Sequence, residues 1–217
     1  MKEAGSAGQG GERAGAGPPP EFDPRPVTLE GRHARLEPLA ARHAPDLHRV
    51  GQAPEVWRYL PRPELAAVAD AEAWIAQTLK LAAGGSQLPF AIVHRASGRA
   101  VGSTRFMDIR RRDRALEIGW TWLGVEFQRT ALNTECKYLL LRHAFEELGA
   151  VRVQLKTDAR NERSQRAIER IGAVREGVLR QHMILWDGFV RDSVYYSVVD
   201  REWPAVKQRL EARLARG

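Results

Sequence analysis

Apolar and polar residues change period several times along this chain, and each change marks an element. From Ala115 to Leu123, the residues Leu116, Ile118, Trp120 and Trp122 alternate with Glu117, Gly119, Thr121 and Leu123. This predicts a strand with the first set on one face and the second on the other. The period then becomes helical over about Ala131 to Leu148. There Tyr138, Leu141, Phe145 and Leu148 share a stripe with Ala144 beside them, and Gly149 ends the run. Val151–Thr157 reads as a buried-type strand, and Glu162–Ile171 as a short helix stopped by Gly172.

Upstream, Ala34–Leu39 (ARLEPL) reads as the first strand and Ala40–Gln52 as a helix. A second helix over about Glu64–Ala83 lines up Leu65, Val68, Ala69, Ala73, Ile75, Ala76 and Leu79, and Gly84-Gly85 stops it. Phe90–His94 and Ala100–Asp108 read as strands joined across Ser97-Gly98. Downstream, Val174–Trp186 and Phe189–Val199 flank Asp187-Gly188, a strong hairpin signal. A basic helix over Arg201–Arg216 follows, with Pro204 in its first turn. The sum is a mixed α/β chain: a central, mostly antiparallel sheet of about seven strands flanked by helices. At its centre is a parallel strand–helix–strand unit with a cleft at the strand ends.

Composition narrows the class. Hydrophobic residues make up 43% and charged residues 28% of 217, ordinary values for one globular domain. Met1–Pro26 is rich in Gly, Ala and Pro, with Phe22 its one large apolar residue, and is expected to be a disordered tail ahead of a single domain over residues 27–217. The single cysteine, Cys136, rules out an intrachain disulfide and a cysteine-cluster metal site; no metal is expected, and a reducing, cytoplasmic setting fits. No apolar run approaches membrane-spanning length, so no membrane partner is expected. The formal net charge is +7. The tail carries Lys2, Arg13 and Arg25 against Glu3, Glu12, Glu21 and Asp23, so the positive excess lies on the body and suits anionic ligands. The arginines are scattered among acids, with a run at Arg110–Arg114 on a connecting turn, so direct nucleic-acid binding is not the favoured reading.

A strand that breaks at a polar turn and opens a helix is a ready site for a diphosphate, because the helix start offers unpaired N–H groups and a positive dipole end. Here the turn is Gln128, Arg129, Thr130, Ala131, Leu132 and Asn133, followed by Thr134, with Thr130 in the N-cap place. Downstream, Asn161 and Ser164 form an N-x-x-S unit in which Asn161 caps the next helix.

The turn resembles the Gln/Arg-x-x-Gly-x-Gly/Ala signature of the GNAT superfamily of acyl-CoA-dependent N-acyltransferases, with Ala131 and Asn133 standing where that signature carries small residues, usually glycine. The strings Asn161–Ser164 (NERS), Gly172-Ala173 and Glu176–Arg180 (EGVLR) resemble the RimJ/RimL-type branch, which acetylates amino termini of ribosomal proteins. The similarity runs from about Val27 to Leu214. It implies acetyl-CoA as co-substrate and direct transfer to a primary amine, on a small molecule or a peptide such as a ribosomal protein's N-terminus. Dimers are frequent among such relatives. The rival readings are a small-molecule acetyltransferase and an acyl-CoA-binding regulator without turnover.

The resemblance also distributes roles. The diphosphate belongs to Gln128–Thr134, and the carbonyl-polarising N–H groups lie around Trp122, Leu123 and Gly124, where the strand splays from Val153–Thr157. Asn161 contacts the pantetheine arm, and Ser164 assists the leaving thiolate in place of a tyrosine. Glu117 is the candidate base, with His182 an alternative. Trp57 and Tyr59 are candidate walls of the acceptor pocket, and His182 is a further candidate for substrate binding. Cys136 reads as a packing residue.

Overall fold

In the computed structural model, residues 21–62 and 64–216 are described. Most of the expected tail, residues 1–20, lies outside them. The packed domain begins earlier than Val27: Phe22 is 5% exposed and sits in the main hydrophobic cluster.

Eight strands among the described residues form one sheet in the order β1-β2-β3-β4-β5-β6-β8-β7. They are β1 (Leu29–Glu30), β2 (Ala34–Pro38), β3 (Leu88–His94), β4 (Arg99–Arg110), β5 (Ala115–Leu123), β6 (Arg152–Asp158), β7 (Val174–Ile184) and β8 (Val190–Val199). All neighbours pair antiparallel except β5 and β6, which are parallel. The mostly antiparallel sheet matches expectation. The eighth strand is β1, whose two residues are too short for a periodic signal.

The helices are α1 (Ala44–Val50), α2 (Pro54–Trp57), α3 (Val68–Ala82), α4 (Ala131–Arg142), α5 (Glu162–Ile171) and α6 (Trp203–Leu214). They divide the core by sheet face. Alternate residues on β3 show the division: Phe90 and Ile92 join the cluster with α4, α5 and α6, while Ala91 joins the cluster with α1, α2 and α3. On α3 the buried stripe is Ala71, Trp74, Ile75 and Thr78, at i, i+3, i+4 and i+7. Val68 and Leu79, expected on that face, are exposed. The apolar set was rotated because alanines blur the helical period and Trp74 outweighs them in buried area.

Two features of β5 shape the cleft. Its register with β6 covers only Ala115–Glu117 against Arg152–Gln154, so the strands part beyond Glu117. Its register with β4 passes from Gly119 opposite Arg105 to Trp122 opposite Ser103, so two residues stand against the single Thr104. Trp120 lies in this bulge with φ +49°. The extra residue swaps the faces beyond it. Leu116 and Ile118 pack with α4, whereas Trp122 packs in the other cluster, 4.8 Å from Trp57 and 5.9 Å from Trp74 between ring centroids. The shared face expected for all four residues is therefore broken at the bulge.

The polypeptide fixes α4 at its own start and against the opposite edge of the sheet. Thr130 caps it, accepting the Leu132 N–H at 3.2 Å and donating to the Phe127 carbonyl at 2.8 Å. One turn on, the buried Glu135 carboxylate accepts the N–H groups of Arg32, His33 and Ala34 at 2.8, 2.6 and 2.6 Å. This ties the β1–β2 turn to the helix.

Candidate active site

The parted ends of β5 and β6, the start of α4 and the start of α5 enclose a cavity of about 340 Å³. Its top is the turn into α4. Gln128 there donates to the Leu123 carbonyl at 2.9 Å and accepts from Arg163 of α5 at 2.8 Å, bridging the two sides of the opening. Arg129 takes a left-handed conformation, φ +64°, which lets the chain turn sharply into the helix. The Thr130 side chain answers one N–H of the first turn; helix geometry leaves others of that turn without an intrahelical acceptor, the arrangement that suits an anion. Arg129, Thr130, Asn133 and Thr134 line the cavity. Ala131 and Leu132 do not, and Leu132 is buried in the core.

Below this rim, Trp122 and Leu123 line the cavity, and the indole of Trp122 is buried among Trp57 and Trp74. Strand β5 therefore faces the opening with its backbone, since its β6 side has no ladder partner past Glu117. Gly124 packs against α1: a Cβ there would come within 2.7 Å of Val50 Cβ. On the opposite wall Asn161 caps α5, its Oδ1 accepting the Ser164 N–H at 3.0 Å, and both residues line the cavity.

Glu117 lies at the floor, on the last rung where β5 and β6 pair. It is 1% exposed. Its Oε2 accepts from Gln154 at 2.8 Å and pairs with Lys156 Nζ at 3.1 Å, while its Oε1 is buried without a partner. The surroundings are thus polar on one side rather than apolar throughout. That free oxygen has room because of Gly119, where a Cβ would sit 2.9 Å from it and 2.6 Å from Met107 Sδ.

The candidate acceptor residues separate. Tyr59 lines the cavity with Leu60, Pro61 and Met107. Trp57 is 2% exposed on the short α2, with its N–H donated to the Gly51 carbonyl at 2.6 Å, and serves the core. His182 lies off the cavity wall, hydrogen-bonded to Ser193 at 2.9 Å and to the Tyr195 hydroxyl at 3.2 Å. Burial, reinforced by the charges of Lys156 and Arg191, holds its pKa below the ordinary histidine value.

Sequence reasoning missed most charged residues of the cavity, among them Lys156, Arg191 with Asp158, and Lys137. Lys156 was hidden as one polar residue of a buried strand. Arg191, 5% exposed, lies 3.9 Å from the Asp158 carboxylate, which also takes a 2.8 Å pair from Arg160. Burial would raise the Asp158 carboxyl, but the Arg160 hydrogen bonds and the two guanidinium charges outweigh it and hold the pKa below the usual range. Lys137 of α4 is 7% exposed and donates to Thr121 Oγ1 at 2.6 Å. A lysine among the inward positions Cys136, Leu139 and Leu140 was the available signal.

A slot that opens at a helix start, runs beside unpaired strand backbone and ends at a half-satisfied carboxylate suits a long ligand with a diphosphate head and a reactive tail. Acyl-CoA-dependent transferases are built this way, and the comparisons name the family. Residues 33–174 match the family described as "Acetyltransferase (GNAT) domain", and the chain belongs to it.

One relative, "Putative ribosomal N-acetyltransferase YdaF" of Bacillus subtilis, is 34% identical over 110 residues, covering 51% of this chain and 59% of that protein. The aligned part thus spans about three fifths of that relative's length. A GCN5-related N-acetyltransferase from Brucella melitensis superposes with TM-score 0.84 at 34% identity, covering 90% of this chain and 89% of that one. The crystal structure of a "putative acetyltransferase" from T. thermophilus gives TM-score 0.77 at 47% identity, covering 88% of this chain and 98% of that one.

Proposed function

We propose that this protein moves an acetyl group from acetyl-CoA to a primary amine at the N-terminus of a protein, a ribosomal protein being the favoured acceptor. The observation that carries the chemistry is the unpartnered Glu117 Oε1 at the floor of a slot headed by the α4 N-terminus. The acceptor class rests on the name of the Bacillus subtilis relative and on the RimJ/RimL-like strings.

Acetyl-CoA supplies an activated acyl group as a thioester. The residues present fit it: Arg129, Thr130, Asn133 and Thr134 at the head, the bare backbone of β5 along the arm, and Asn161 and Ser164 opposite. The Gly124 N–H is taken by the Val101 carbonyl of β4 at 2.9 Å, and strand alternation turns the Trp122 N–H the same way, which leaves the Leu123 N–H on the slot side to polarise a carbonyl placed there. Glu117 Oε1 accepts a proton from the incoming ammonium, directly or through water, while Lys156 and Gln154 hold the other oxygen in place. Ser164 offers the departing sulfur a hydrogen bond. Transfer is direct, because no activated nucleophile stands in the slot: Cys136 is fully buried and burial pushes its thiol up to about 12.

The test combines binding and turnover. Acetyl-CoA should raise the melting temperature, since a ligand of the native state stabilises by roughly 2.7 kcal/mol at a hundredfold excess over Kd. Thiol release should then follow with peptides copying ribosomal-protein N-termini. Release with only free amino acids, polyamines or aminoglycosides would reassign the acceptor. Stabilisation without release from any amine would leave an acyl-CoA-binding regulator.

A further inference from the structure

Lys137 is a buried amine that the reaction scheme above does not use. It projects from the second turn of α4 into the cavity and is 7% exposed. It has no carboxylate partner among the described residues. Its Nζ donates to Thr121 Oγ1 at 2.6 Å, and that hydroxyl lies 2.7 Å from Thr104 Oγ1. A buried ammonium without a counter-charge costs several kcal/mol of desolvation. A fold keeps such a group where a negative charge comes and goes.

Its depth shows which charge. Helix α4 starts at Ala131, so Lys137 lies six residues in, about 9 Å along the axis at 1.5 Å per residue. That is below the diphosphate place at the helix start. It is level with Thr121, two residues before the end of β5 and four residues beyond Glu117. A ligand arm descending from the α4 start toward Glu117 passes this level with its reactive end.

We propose that Lys137 is the proton donor to the thiolate that leaves when the acetyl group is transferred; this rests on the function proposed above. The amine nitrogen forms its bond to the acetyl carbon and gives up a proton on the Glu117 side. The carbon–sulfur bond breaks, and its electron pair goes to sulfur. Sulfur takes a proton from Lys137 Nζ; the ammonium nitrogen sheds two protons in all, both through Glu117 to solvent, and one of these restores Lys137 through the opening, so that one proton is released per transfer. Thr121 and Thr104 hold the amine in line without competing for charge.

Chemistry agrees with placement. Burial, against a weaker opposing effect of Cys136, pulls the Lys137 ammonium down to about 8, still mostly protonated at neutral pH and close to an ordinary thiol. The charged groups sharing the cavity are Glu117 with Lys156, Asp158 with Arg191, Glu55, and Arg129, Arg163 and Arg170. The first two carboxylates are already paired.

The experiment needs no acceptor. CoA is bound to the full-length protein, and the ultraviolet absorbance of its thiolate is followed against pH in the native protein and in Lys137→Met. The ammonium should raise the thiolate-to-thiol ratio of bound CoA about tenfold at a given pH, and the variant should return it to that of free CoA. Equal ratios in the two proteins would overturn the proposal.

A second measurement uses native protein alone. With lysines labelled at Cε, the Lys137 signal should shift its titration midpoint on adding CoA but not on adding the analogue lacking sulfur. The same response to both ligands would overturn the proposal even if the variant does not fold. Failure of CoA to bind native protein in calorimetry overturns the proposed function, and this inference with it. Binding without a thiol-specific response sinks this inference alone.

Discussion

Glu117 and Lys156 meet at 3.1 Å on adjacent parallel strands, at the point where the two strands stop pairing. The ammonium compensates a carboxylate that is 1% exposed, and it engages only Oε2, leaving Oε1 to the cavity. A charge at the floor of the slot is thereby kept without filling the slot.

Glu117→Gln keeps the shape and removes the proton-accepting charge. Turnover should fall by about 10²–10⁴-fold, the usual worth of a positioned base, with acetyl-CoA affinity little changed. Calorimetry for binding and thiol release against pH for turnover check this. An unaltered pH profile would remove Glu117 from the chemistry.

Ala131→Asp places a carboxylate at the first residue of α4. Two effects of opposite sign follow from one charge. The helix gains a favourable dipole contact of about 0.3–1 kcal/mol, so melting temperature should hold or rise. Acetyl-CoA affinity should drop tenfold or more, a loss of at least about 1.4 kcal/mol, because the same charge, although Ala131 lies off the cavity wall, offsets the positive helix end proposed to hold the diphosphate. Undiminished affinity in a titration would count against the α4 start as the diphosphate site.

Glu135→Gln retains one carbonyl oxygen where the carboxylate now serves three N–H groups of Arg32, His33 and Ala34. At least one of these three donors loses its acceptor and the charge assistance goes. Stability should fall by about 2–3 kcal/mol, read as a lower denaturant midpoint at unchanged slope.

Asp158→Ala leaves Arg191 buried without its carboxylate, and should cost about 3–5 kcal/mol in denaturant unfolding. The native protein should show the same contact in its acid limb. The folded pKa of Asp158 lies below its ordinary 3.8, so the stabilisation is fully present above that pH and is lost as pH falls through the lower folded value. The Asp158→Ala protein should show a shallower decline of stability in that window.

Locally encoded features were legible in the sequence. Strand β5 and helix α5 have the expected bounds, Ala115–Leu123 and Glu162–Ile171. Alternation defines the first. Asn161 and the left-handed Gly172, φ +102°, close the second. The strand–turn–helix order, the parallel pair and the turn at Gln128–Thr134 followed from the same short-range signals. The expected hairpin at Asp187-Gly188 also formed, with Gly188 at φ +81°.

Features decided at long range were not legible. The bulge at Trp120 depends on how β5 registers with β4, and it sends Trp122 to the opposite face from Leu116. Glu117 finds Gln154 and Lys156 only because β6 returns beside β5, 37 residues on in the case of Gln154. Trp57 turned from a presumed pocket wall into core once Trp122 and Trp74 closed around it. Period and capping act over one or two turns of chain, so the sequence by itself determined the elements, their order and the turn at Gln128–Thr134. Pairing register, side-chain face and charge partners are set by residues far apart in the chain, so only the tertiary structure decided where the strands part and which charges, Glu117, Lys156 and Lys137, enter the opening.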